Sequence, residues 1–107
     1  MTGKAIVDAG ICGFSADITA EALGVKETAQ VYLETDCPYV KKLGEQFSID
    51  IMDTLKHRYN SKFFKKVEAI NPPIHFFCPV ISGIYQTIKV AASIALPKDI
   101  AITLMKE

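Results

Sequence analysis

Two runs of strict apolar–polar alternation, joined by a glycine turn, leave this chain few ways to fold. In the first, Ile18, Ala20 and Ala22 alternate with Asp17, Thr19 and Glu21; in the second, Ala29, Val31 and Leu33 alternate with Gln30, Tyr32 and Glu34. A period of two puts each apolar set on one face of a strand. Gly24-Val25-Lys26-Glu27 supplies the turn, so the two runs predict an antiparallel β-hairpin with one face buried. That buried face needs a second layer, and the sequence on either side must provide it.

The flanking segments supply candidates for that layer. Residues 4–9, with Ala5, Ile6 and Val7, read as a first strand. Asp36-Cys37-Pro38 ends the hairpin and reads as a helix start, because proline suits the first helical position. Val40, Leu43 and Phe47 then fall on one helical face. Ser48-Ile49-Asp50 predicts a second cap, followed by Met52 and Leu55. Asn60-Ser61 caps a third predicted helix over 62–69. Asn71-Pro72-Pro73 must be extended, since each proline biases its predecessor away from helix. A long helix follows Pro79, with Ile81, Ile84, Ile88, Ala91 and Ala95 at helical spacing, stopped by Pro97. Residues 99–105 alternate again, Ile100, Ile102 and Leu104 against Ala101, Thr103 and Met105, and predict a strand at a sheet edge. The expected order is β-β-β-α-α-α-α-β. This is an α+β fold: an antiparallel sheet of three to four strands with helices on one face, in a single domain over residues 1–107.

Composition narrows the function classes. Twelve basic residues balance twelve acidic ones, so there is no basic excess of the kind a nucleic-acid binder carries. Lys62, Lys65 and Lys66 are interleaved with Phe63 and Phe64 and read as the solvated face of a helix. No stretch reaches the roughly 20 apolar residues of a membrane span, and the N-terminal residues lack a signal-peptide pattern. No partner is expected in nucleic acid or membrane, and the expected location is the cytoplasm. There is no glycine-rich phosphate loop and no His-Glu-x-x-His motif.

The chemistry concentrates in three cysteines, Cys12, Cys37 and Cys78. A reduced compartment disfavours paired disulfides, so they are core residues, reactive thiols or metal ligands. Each falls at an element junction. Cys12 sits between Gly10 and Gly13. Cys37 and Cys78 each precede a proline at an expected helix start, where the macrodipole and free N–H groups favour a thiolate. His75, three residues before Cys78, is a candidate additional ligand, although an extended segment directs it away from Cys78. His57, in Lys56-His57-Arg58, reads as a surface residue. Three readings stay open: a metal or cluster site built from the three thiols, a thiol enzyme or sulphur carrier with one reactive cysteine, and an interaction domain with buried cysteines. The oligomeric state is open between monomer and homodimer.

The order and spacing of Cys12-Gly13, Cys37-Pro38 and Pro72-Pro73-Ile74-His75-Phe76-Phe77-Cys78 resemble those of the U-type iron–sulphur cluster scaffold family (IscU/NifU-like), over roughly residues 10–94. The resemblance implies that family's fold, an iron–sulphur cluster or a divalent metal (zinc or iron) on Cys12, Cys37 and Cys78, and partners that donate sulphur or accept clusters. Two positions depart from the family pattern. Phe14 stands where the family has an aspartate two residues after the first cysteine, and Phe77 where it has a histidine before the third. The family's N-terminal helix is absent, and the predicted strand over 99–105 is additional.

Overall fold

The computed structural model describes residues 1–10, 13–24, 26–70 and 78–106. Four strands form one antiparallel sheet in sequence order: β1 (Thr2–Asp8), β2 (Ser15–Glu21), β3 (Thr28–Thr35) and β4 (Gln46–Asp50). Among the described residues three α-helices complete the fold: α1 (Ile51–His57), α2 (Lys62–Glu68) and α3 (Pro79–Ala91). The expected α+β architecture is therefore present. Among the described residues, no helix is long and apolar enough to cross a membrane.

The hairpin is the one its alternation requires. Ile18 faces Leu33 and Ala20 faces Val31 across β2 and β3. Ala16, Ile18, Ala20, Ala29, Val31 and Leu33 are all buried, whereas Asp17, Glu21 and Glu34 are exposed. Burying a branched apolar side chain such as Ile18 or Val31 stabilises the fold by about 1.5–3 kcal/mol. The second layer over this face is chiefly α3, which buries Val80, Ile81, Ile84, Thr87, Ile88 and Ala91.

Helix α3 lies unusually close to the sheet because two glycines admit it. A Cβ at Gly3 would stand 2.7 Å from the Thr87 carbonyl oxygen and 3.1 Å from the Ala91 nitrogen. A Cβ at Gly83, on the helix, would stand 2.6 Å from Cγ2 of Val7 and 3.2 Å from Cδ1 of Ile18. Early helix against late strand, and late helix against early strand, means that α3 runs antiparallel to β1.

Three expectations are corrected. The segment after Cys37 is no α-helix: it makes one 3-10 turn, Val40–Leu43, and then strand β4. Gly44 breaks the spiral with φ +99° and ψ 159°. Beyond it Phe47 and Ile49 turn inward while Gln46, Ser48 and Asp50 turn out, so the alternation of 46–50 outweighed the helical spacing of Val40, Leu43 and Phe47. Next, α3 ends at Ala91 rather than near Pro97. Ser93 adopts a left-handed conformation (φ 63°), and the Ser93 and Ile94 amides return to the Val90 and Lys89 carbonyls at 3.1 and 3.0 Å. That is a Schellman closure, with serine where glycine is usual. Finally, residues 99–105 form no strand, and β4 provides the fourth strand instead.

The smaller helices match their expected caps. Asp50 caps α1 by accepting from the Asp53 amide, and Ser61 caps α2 by accepting from the Phe64 amide. Inside α1, Ile51 and Thr54 are buried, and the expected apolar positions Met52 and Leu55 are respectively half-buried and exposed. Phe63 joins the layers: it stacks on Phe47 of β4 with centroids 5.8 Å apart and meets Tyr85 of α3 edge-on at 5.5 Å. Asp53 ties α1 to α2, accepting from the Lys62 amide at 2.8 Å and bonding His57 Nδ1 at 2.8 Å. The Lys62 amide, then His57, hold its carboxyl below the ordinary aspartate value.

Replacing Gly3 by alanine will destabilise the protein by about 1–3 kcal/mol in urea titration. This is the reverse of the usual gain of about 0.5–1 kcal/mol for that change in a strand. A second prediction concerns acid. A carboxyl held low in the folded state contributes stability above its unfolded pKa and loses it as pH falls through the folded value. Urea midpoints of the wild type will therefore drop more steeply below about pH 4 than those of Asp53→Asn.

Candidate functional site

Cys78 is the N-cap of α3. Its carbonyl accepts from the Ile81 and Ser82 amides at 3.1 and 3.3 Å, and its side chain makes no capping bond. Because α3 runs antiparallel to β1, this helix start lies at the end of the sheet where β1 finishes. At that end Asp8 faces Ser15, and the connection from β1 to β2 is closed by Ala9 N–H to Phe14 O at 3.0 Å and Gly13 N–H to Gly10 O at 2.9 Å. Gly10 and Gly13 have φ of 76° and 73°, a region in which a side chain is strained. The Asp8 carboxylate accepts from the Gly10 amide at 2.9 Å.

β3 finishes at the same end, with Thr35 facing Ala16. A local network holds the residues that lead to Cys37. The Ser15 amide donates to the Asp36 carboxylate at 2.7 Å, the Thr35 hydroxyl donates to the Ser15 carbonyl at 2.7 Å, and the Cys37 amide donates to the Thr35 hydroxyl at 3.2 Å. Asp36 therefore braces the start of β2 instead of capping an α-helix. The Cys37 carbonyl accepts from the Lys41 amide at 3.0 Å, a single i to i+4 bond that leads into the 3-10 turn. Cys37 is thus not at an α-helix start, and the thiolate-favouring helix dipole expected there is absent. The turn that replaces it is too short to sum one.

Cys37 and Cys78 thus share one end of the sheet. Both thiols are free and half-buried, and both pack against the apolar core. Cys12 and His75 lie outside the described residues. The chain on either side of Cys12, at Gly10 and Gly13, belongs to this same end. Among the described residues no group of three or more His, Cys, Asp and Glu side chains is close enough to hold a metal ion. His57 is exposed and engaged with Asp53, in keeping with the surface role read from its sequence.

An open hollow of 280 Å³ lies beside this end, lined by Ser15, Asp17, Glu34, Thr35, Asp36 and Lys41. Neither thiol lines it. Asp17 and Glu34 stand directly opposite each other across β2 and β3, a like-charge pairing that costs stability unless offset. Lys41 lines the same hollow. The alternating pattern of 17 and 34 contained this juxtaposition, but only the register of the hairpin reveals it.

The fold and this end of it define a small α+β domain in which, among the described residues, two free thiols lie at the edge of a well-packed core. The chain belongs to a family of unknown function, DUF6951, whose model matches residues 3–104. No curated protein and no solved structure matches it.

Asp36→Ala will free the Ser15 amide and loosen the approach to Cys37. The expected cost is about 0.5–1.5 kcal/mol in urea titration, together with faster alkylation of Cys37 by a maleimide in a Cys12→Ser, Cys78→Ser background.

Proposed function

We propose that this protein binds a metal ion or an iron–sulphur cluster through Cys12, Cys37 and Cys78. His75, an acidic side chain or an exogenous group would take the fourth position. The observation that carries the reading is the common placement of Cys37 and Cys78: residues 41 positions apart in sequence number (78 minus 37) lie at the same end of the sheet as free, half-buried thiols. The glycines flanking Cys12 bring a third thiol's neighbours to that end. Thiolates are soft ligands that select zinc, copper(I) and iron–sulphur clusters, and the donor set fits such a group.

The resemblance of the three cysteine motifs to the U-type scaffolds favours the cluster among these. Bound there, a cluster would be held for storage or handed on, with a sulphur donor and cluster-accepting proteins as partners. A reducing compartment such as the cytoplasm suits it. The chain's own contribution is positional. The Ser15–Thr35–Asp36 network holds the backbone at Cys37, the α3 start holds Cys78, and the apolar core behind both limits water on one side. Phe14 and Phe77 replace the acidic and imidazole groups of the scaffold pattern, leaving a site that depends on sulphur.

Anaerobic reconstitution with ferrous iron and sulphide tests this, alongside zinc titration of the reduced protein. Expected outcomes are charge-transfer absorption in the visible region or one tightly held metal per chain. Cys37→Ser and Cys78→Ser will each lower metal affinity at least roughly tenfold while leaving the circular dichroism spectrum unchanged. Absence of both signals, or signals untouched by Cys37→Ser, would sink the reading.

A further inference from the structure

Among the described residues, the segment after α3 is the most exposed apolar stretch. Leu96 is 88 % exposed, Ile100 66 %, Ile102 78 %, Leu104 88 % and Met105 80 %. Residues 99–105 alternate as a strand does, yet they pair with nothing among the described residues. The family match runs through residue 104, so this segment belongs to the matched sequence and is no appendage to it.

The sheet has a place for such a strand. β1 pairs with β2 along one side, and among the described residues no strand lies along its other side. A free edge of this kind presents unpaired N–H and C=O groups. The core is also thin at this edge. On β2 the inward residues Ala16, Ile18 and Ala20 are buried, but on β1 Ala5 and Val7 are only half-buried. Val90 of α3 is half-buried too, with its Cβ 3.4 Å from where a Cβ of Gly3 would lie. Among the described residues, no strand with large apolar side chains lies beside this edge. Ile100, Ile102 and Leu104 have that spacing and size.

The chain's own segment cannot readily fill the place in the antiparallel sense that the rest of the sheet uses. Its root is beside the start of β1, where the Ser93 hydroxyl contacts the Met1 sulphur. Antiparallel pairing must begin at the far end, about 20 Å away at roughly 3.4 Å per residue. The links from Ser93 to Asp99 reach at most about 21 Å when fully extended, which leaves nothing for the reversing turn. A second copy has no such restriction. Equal numbers of acidic and basic residues also remove net repulsion between copies.

We propose that residues 99–105 of one copy pair antiparallel with the free edge of β1 in a second copy, reciprocally about a twofold axis, with Ile100, Ile102 and Leu104 on the α3 side. The exchange extends each sheet to five strands and covers both half-buried edges. It stands apart from the metal reading and is tested on metal-free protein kept reduced, so that neither bound metal nor a disulfide can create the dimer.

Light scattering of the full chain over a concentration series will give twice the 11.8 kDa monomer mass. Ile102→Asp and Ile102→Pro, at a position exposed in the single chain, will melt like the wild type at monomeric dilution and lose the dimer. Hydrogen exchange will show alternate amides of 99–105 slowed in the wild type and not in the variants. A wild type that stays monomeric overturns the proposal, whether those amides are slowed by pairing within one chain or exchange freely. A dimer that survives both substitutions overturns it as well, since another surface then holds it.

Discussion

The close approach of α3 to the sheet at Gly3 and Gly83 governs the rest of the structure. Side chains at either position would collide, one with helix backbone and the other with Val7 and Ile18. With both positions bare, the helix settles over β1 and β2 and buries an almost continuous aliphatic stripe from Val80 to Ala91. Packing this dense tolerates little change in volume. The same contact sets the direction of α3 against β1, and hence which end of the sheet receives Cys78.

The thiol end is built differently from the core beneath it. Cys37 is approached through hydrogen bonds: Ser15–Asp36 and Thr35–Ser15 join the start of β2 to the end of β3, and the Cys37 amide donates to the Thr35 hydroxyl. Cys78 is approached through a helix start. Both thiols pack against the apolar core, and the approach to Cys37 is held in addition by polar contacts. The like-charged pair Asp17 and Glu34, with Lys41 beside it, makes the neighbouring surface polar and mostly anionic.

The opposite flank of the sheet shows why edges matter in a chain this small. β4 closes one side, and its Phe47 is backed by the Phe63–Tyr85 pair and by Lys66, whose ammonium lies 4.8 Å from the Phe47 ring centre and 3.0 Å from the Leu43 carbonyl oxygen. β1, at the other side, has no comparable buttress beyond α3 among the described residues. The half-burial of Ala5, Val7 and Val90 is the measure of that asymmetry.

The sequence alone determined the hairpin, the caps at Asp50 and Ser61, and the long helix after Pro79. These rest on local rules: a period of two, a side-chain oxygen reaching a free amide, a proline where no amide is needed. It also marked the three cysteines as junction residues. Where two local patterns competed, only the tertiary structure decided. Val40, Leu43 and Phe47 have helical spacing, but the open side of β3 could be paired by 46–50, and Gly44 let the chain turn into that strand. The apolar spacing of α3 continues to Ala95, yet Ser93 ended the helix by a Schellman closure that spacing does not encode. Residues 99–105 alternate like a strand, but a strand also needs an edge within reach, and reach is a property of where α3 ends. The placement of Cys37 and Cys78 at one end of the sheet was decided in the same way: their junction positions were local, but their common end followed from the antiparallel run of α3 on β1, which two missing side chains permit.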